Sequence, residues 1–427
     1  MARTDLKLSA RELAEFERTR VSLRKERKLS AVPRLQAINF AGTGTVMHDA
    51  ARFCEAGITT VKDWISGLNP EKVKRLTDSK QLLSLARTLI KWALVGILSI
   101  ELLSFLVVSA TNFVMYGHAR EGSRAVYDPY TLFLQSSSIR PTAHNSVSPD
   151  VKKNRSIWMF GGSTMRGATD FDERTIPSFL SEYLNSSARG LHFSIKNFGI
   201  DSFNSLLETK YLQKLLIEKS PAPDLIVFFD GANDSKYFLE HRTPYGHHGY
   251  RRTRALIESY YDSWFGLLKP FNAAIYASFS KELYDRINQV VIPVDRGSTE
   301  LGAMGSLTER RYDFVNKIAG CYGAEFILFW QPMHWVEECA VPRSVTEQEQ
   351  GLVLAVDRFE TMRHNFAVTY TSLAERLQDK PYFISFREVF CDRKVPVYQA
   401  DGVHLTDDGR RTVARAMGKI LEERLFR

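Results

Sequence analysis

The hydrophobic rhythm of the chain changes twice. The first ninety or so residues mix charged and apolar positions with a helical period. From Trp92 to Tyr116 comes an apolar block of 25 residues holding one charge, Glu101. At 1.5 Å per residue such a helix crosses the ~30 Å apolar core of a bilayer with some tilt. A soluble core helix of that length would keep a polar face, and this block has none. Its mid-chain position separates it from a cleaved signal peptide. A transmembrane helix is therefore expected over 92–116. Glu101 costs roughly 2.5–3.5 kcal/mol on insertion scales, which the surrounding Leu, Ile, Val and Phe outweigh. A lone carboxylate there is expected to be neutral or to face a partner helix.

Beyond residue 150 the pattern becomes short apolar runs alternating with amphipathic stretches. Strands are predicted at 156–160, 192–197, 224–229, 325–330 and 382–386, with helices at 175–185, 204–219, 307–320, 347–378 and 406–425. Alternation of this kind implies an α/β fold: a three-layer α/β/α arrangement on a parallel five-stranded sheet with right-handed crossovers. Ligand sites of such sheets lie beyond the carboxyl ends of the strands. Between the membrane block and this domain, residues 117–150 are rich in Pro, Ser and Tyr and read as a linker. The expected organisation is an arm (1–33), a small helical domain (34–80), the span, the linker and the α/β domain (151–427).

The arm carries a basic cluster, Arg24, Lys25, Arg27 and Lys28. After it, "FAGTGTVMHDAARFCEAGITTVKDWISGLNPEKVKRL" has Gly42 and Gly44 in a hairpin, a helix ending at Gly57, a Thr59-Thr60 cap and a third helix opened by Asn69-Pro70. This resembles the helix-hairpin-helix family, whose glycine hairpin binds nucleic-acid backbone or serves protein contacts. Here Thr43 separates the glycines and "FAG" stands for the usual "PGI". Nucleic-acid binding is not expected, and the segment reads as a protein-contact domain.

Composition is that of a globular protein, 44% apolar and 25% charged, which excludes wholesale disorder. The net charge of +8 points to acidic partners, which could be nucleic acid, anionic lipid or an acidic polymer. Lys72, Lys74, Arg75, Lys80, Arg87 and Lys91 precede the span, against Arg120 and Arg124 after it. Positive charge stays inside, so the N-terminus is expected in the cytoplasm and residues 117–427 outside the inner or plasma membrane, in the periplasm. Of Cys54, Cys321, Cys339 and Cys391, none form a CxxC pair, and no metal is expected.

Chemistry enters at "WMFGGSTMRG", residues 158–167. A strand, two glycines and a helix could cradle a phosphate, present Ser163 as a nucleophile, or cap the helix with a hydroxyl. A phosphate loop needs a lysine before the hydroxyl residue, and Gly162 stands there. A nucleophile needs a base and an orienting carboxylate, and "ADGVHLTDDG" offers His404 and Asp401 on one loop. "DLIVFFDGANDS" ends a strand at Asn233, and "NFGIDSFNS" ends another at Gly199, both candidate oxyanion donors.

These four blocks, in this order, resemble the SGNH (GDSL-type) hydrolases, over roughly residues 150–427. The resemblance implies Ser163 as nucleophile, His404 as base and Asp401 as its orienter. It implies an oxyanion hole from the Ser163 amide, the Gly199 amide and the Asn233 side chain, and no cofactor. The family's first block usually reads Gly-Asp-Ser; here Gly162 replaces the Asp. The insertion after Asn233 is longer than a minimal member needs. Its Arg251 and Arg252, with Trp330 and His334 after the fourth strand, are candidate substrate contacts. Cys339 and Cys391 follow the ends of strands expected to be neighbours, so a disulfide between them is expected, leaving Cys321 buried. The expected activity is that of a membrane-anchored serine esterase removing O-acyl groups, acetyl first, from a cell-envelope glycan or lipid. The alternatives are an O-acyltransferase using the same triad and a non-catalytic glycan- or partner-binding scaffold.

Overall fold

The computed structural model describes residues 79–116, 125–135, 139–146, 153–169, 171–187, 191–262, 274–275, 277–352 and 360–425. The expected arm and all but the end of the expected small helical domain lie outside the described residues. The chain divides into two compact units, Met1–Ser99 and Ile100–Arg427. In the first, the described part is the start of helix α1 (Ser79–Tyr116), whose Leu83–Phe113 stretch is long and apolar enough to cross a membrane. The apolar block thus sits inside a longer helix, because the Arg87 and Lys91 side chains before it are good helix formers.

The second unit is built on a parallel sheet. Its elements are β3 (Lys153–Gly161), α2 (Ser163–Arg166), α3 (Ile176–Ser187), β4 (Leu191–Asn197), α4 (Ser205–Glu218), β5 (Leu225–Asp230), α5 (Ala232–His241), α6 (Tyr250–Asp262), α7 (Phe279–Val291), α8 (Thr299–Cys321), β6 (Glu325–Trp330), α9 (Arg343–Leu352), α10 (Glu360–Leu377), β7 (Phe383–Ser385) and α11 (Asp407–Leu425). The strand order is β4-β3-β5-β6-β7, all parallel, so the chain reverses direction across the sheet beside β3. In a doubly wound sheet that reversal opens a crevice at the carboxyl ends of β3 and its neighbours.

Side chains on β3 alternate between two cores. Ile157 and Met159 join Leu180 and Leu184 of α3 and Met417 and Leu421 of α11. Trp158 and Phe160 join Tyr211 of α4, Tyr312 of α8 and Tyr370 of α10 on the opposite face. Both faces of the strand are buried, which explains why its sequence is a continuous apolar run rather than an alternation.

The segment expected as a linker carries an antiparallel hairpin, β1 (Ala125–Asp128) and β2 (Leu132–Gln135). Asp128 pins its turn by accepting from the Tyr130 and Thr131 amides, and it pairs with Lys214 of α4. Glu101 also has a partner, and that partner is a helix of its own unit. Its carboxylate accepts hydrogen bonds from the backbone amides of Phe279 and Ser280 and from the Ser280 hydroxyl, at the start of α7.

Cys339 and Cys391 are joined by a disulfide, S–S 2.08 Å, linking the loops after β6 and β7. Cys321, expected buried, is exposed. Residues Tyr312, Val315 and Ala319 face the core from α8, and Cys321 lies about 200° around the helix from Ala319.

Candidate active site

Ser163 is the first residue of the single-turn helix α2, directly after β3. First-turn amides have no intrahelical acceptor, so the Ser163 N–H is left pointing out of the helix start. His404 and Asp401 arrive on the loop between β7 and α11. That loop is closed on itself by Gln399 N donating to His404 O (2.8 Å) and Gly402 N donating to Gln399 O (2.9 Å). From it His404 Nε2 comes 2.7 Å from Ser163 Oγ, across 241 positions of sequence. The other ring nitrogen, Nδ1, is bonded to Asp401 Oδ2. With the proton held on Nδ1 by the carboxylate, Nε2 is the acceptor for the Ser163 hydroxyl.

Asp401 is buried, and its Oδ1 accepts from the Val403 and His404 amides (3.0 and 2.9 Å). Burial raises its carboxyl pKa; the His404 charge, its hydrogen bond and those two amides outweigh that, and the pKa lies below the usual carboxylate range. Burial pushes His404 down, and the Asp401 charge and hydrogen bond push it up further, so the imidazole lies above its ordinary value. Asp201 adds to this rise and Lys236 opposes it. Asp201 in turn accepts from Gln135 of the hairpin, which ties β2 to the mouth of the site.

The two glycines of "FGGST" are matters of clearance. A Cβ on Gly162 would stand 2.3 Å from Asn233 Nδ2 and 3.1 Å from Phe203 O. The Asn233 amide stands where a side chain at 162 would begin. Asn233 itself is the second residue of α5 and donates through Nδ2 to Phe203 O (2.7 Å). An amide nitrogen has two hydrogens, so one remains beside the residue preceding Ser163.

Gly199 requires correction. Its N–H is engaged by Asn197 Oδ1 (2.9 Å) and is not available to an oxyanion. A Cβ there would lie 2.4 Å from the Arg166 nitrogen, so the glycine permits the strand-end turn to pack against α2. The backbone of the same turn is unusual at Ser202 instead, a non-glycine residue in the left-handed region, φ 65°.

Among the expected substrate contacts, Trp330 is corrected. Trp330 is fully buried, its ring against Tyr370 and Phe383. It follows Leu328 by two residues and therefore points into the same core layer, not into a cleft. His334 packs under the triad loop, donating its backbone amide to Gly402 O (3.0 Å) with its ring edge on Tyr398. Arg251 on α6 is held by Asp285 of α7 and donates to Glu240 O. Arg252 is exposed on α6. Residues at the site that sequence reasoning missed are Gln135, Asp201, Ser202 and Lys236; of these Asp201 and Ser202, both inside "NFGIDS", stood in a recognised block.

No family model matches the chain, and no curated protein does. Among solved structures, it is similar to an acetyl xylan esterase at 15% identity, covering 62% of this chain and 99% of that one, with a TM-score of 0.34. A psychrotrophic esterase from Pseudoalteromonas sp. shares 12% identity over 64% of this chain and 100% of its own, TM-score 0.34. A lipase/acylhydrolase from Enterococcus faecalis shares 15% over 63% and 96%, TM-score 0.34.

Proposed function

We propose that this chain is a membrane-anchored serine esterase of the SGNH type, acting outside the cytoplasmic membrane on O-acyl groups of an envelope glycan or lipid. The observation that carries this reading is the Ser163–His404–Asp401 relay, with Nε2 2.7 Å from the hydroxyl at a strand end. His404 takes the Ser163 proton as Oγ attacks the acyl carbonyl. Negative charge on the carbonyl oxygen is met by the Ser163 N–H and the second hydrogen of Asn233 Nδ2. His404 then returns the proton to the departing sugar or lipid oxygen, leaving an acyl-serine. Water, deprotonated by the same imidazole, releases the acid and restores Ser163. Asp401 orients the ring and holds its tautomer throughout.

The anchoring supports a substrate of the envelope, because a tethered enzyme meets what lies beside its membrane. The Cys339–Cys391 disulfide suits an oxidising compartment. A fluorophosphonate probe on the membrane-extracted full chain should label the wild type and not Ser163→Ala, and acetate should be released from O-acetylated envelope glycan by the wild type alone. Equal labelling of both proteins, or no turnover of any acyl ester by the wild type, overturns the reading.

A further inference from the structure

Helix α7, in the long insertion after Asn233, shows three distinct faces. One is turned to the membrane-spanning helix: Phe279 meets Phe105 ring edge to face at 5.0 Å, and Arg286 donates to Asn112 Oδ1 at 2.9 Å. A second is turned to the α/β domain, where Asp285 pairs with Arg251 of α6 and Lys281 reaches Asp285 at 2.8 Å. At 100° per residue these faces are centred about 130° apart. Between them stands Tyr284, Ile287 and Val291, spaced as one helical stripe. The three are 59%, 51% and 63% exposed. On the neighbouring α6, Leu256, Ile257 and Tyr261 are exposed as well.

The stripe begins where the span is anchored. Glu101 lies in the middle of the apolar block and caps the first turn of α7, while Asn112, eleven residues further on, meets Arg286. The two helices therefore run in the same direction, and α7 follows the outward half of the span over about 10 Å. A helix at that depth must pair its charges, and α7 does so. Lys281 is paired with Asp285, and Arg286 with Glu282 at 2.6 Å. Paired charges turned toward protein, with an aliphatic stripe turned away, are what lipid contact demands.

We infer that the Tyr284/Ile287/Val291 face of α7 is a second membrane contact, seated in the acyl chains of the outer leaflet beside the span. The occupant is lipid, because the stripe is continuous with a helix that lipid already surrounds. This inference rests on the anchored reading above. It makes the span part of a two-point mount for the domain rather than a flexible leash.

The test is spin-label accessibility on the full chain in lipid nanodiscs. Single labels are placed at Ile287→Cys, Val291→Cys, Leu98→Cys in the span and Glu347→Cys on α9, with Cys54 and Cys321 replaced by Ser. The labels at 287 and 291 should match the one at 98, open to oxygen and shielded from a water-soluble nickel chelate. The label at 347 should be open to nickel. If 287 and 291 follow 347 while 98 is lipid-exposed, the inference fails and the anchored reading stands. Labels at 287 and 291 shielded from both reagents mean a protein partner, a second copy included, and also overturn it. A label at 98 that is open to nickel overturns the anchored reading and the inference together.

Discussion

The strand-end site and the α6–α7 insertion solve opposite problems with the same residue types. At the site, polar groups are gathered inward and bonded to one another: Asp401 takes three hydrogen bonds, and Asn233 reaches across to Phe203. In the insertion polar groups are also gathered inward, but apolar side chains are left outside. The difference teaches that burial of apolar surface decides the first region and is set aside in the second. A surface of exposed Ile and Val is unfavourable in water at roughly 25 cal/mol per Å² and costs nothing in hydrocarbon.

The comparison breaks most sharply at His404. His404→Ala should lower turnover of a soluble acyl ester by about 10⁴-fold or more, measured as kcat/KM, with folding retained. The pH profile belongs to the same group. The reactive form is the neutral imidazole, so activity should be lost as pH falls through a pKa above the ordinary 6.5, and be retained above it. A profile whose acid limb lies below 6.5 argues against His404 as base. Asn233→Ala should cost about 10²–10³ in kcat with little change in KM, the size of one oxyanion donor.

Behind Asn233 lies a buried group of acids. Asp230 is pushed up to about 7, by burial first and then by the Asp234 charge. Glu208 beside it is raised well above the usual range by burial and by Asp230. A carboxyl raised in the folded state binds its proton more tightly there than in the unfolded chain. Its stabilisation is full below pH ~4 and is lost as pH rises through about 7. Asp230→Asn, which can still accept the Tyr312 hydroxyl, should flatten that loss. Thermal midpoints of both proteins at pH 5 and pH 8 check it: the gap should favour the variant at pH 8.

The smallest effect is expected in the insertion. Glu101→Leu removes the acceptor for two amides at the start of α7 and should cost about 1 kcal/mol, the usual worth of a helix cap. Unfolding followed in detergent should show it as a drop of a few degrees. Turnover of a soluble ester should not change. A variant that loses activity as well would mean the two regions are mechanically joined, and the contrast between them would fail.

How legible each region is in the sequence follows from the same contrast. The sheet reads easily because strands buried on both faces are apolar runs, and all five predicted runs fall on strands. Ser163, Asp401 and His404 read easily because each sits in a short block beside a strand or helix end. Gly199 misleads because the engagement of an amide by Asn197, two residues away, leaves no trace in residue identity. Trp330 misleads because the last residue of a strand can point into either layer. Helices α5, α6 and α7 lie in the stretch after Asn233 for which no helix is predicted, although α6 and α7 carry apolar residues at helical spacing. Gln135 and Lys236 are brought to the site by long-range packing of a hairpin and a helix that no local pattern announces.

The contact between Gly162 and the Asn233 amide bears on how this site can change. A side chain at 162 has no room while Asn233 keeps its present rotamer. Gly162→Asp alone should therefore be harmful, and a change that first moves residue 233 should make it tolerable. The cost of a side chain at 162 is thus set by the residue at 233, and the two positions behave as one unit, so that neither can be varied without reading the other.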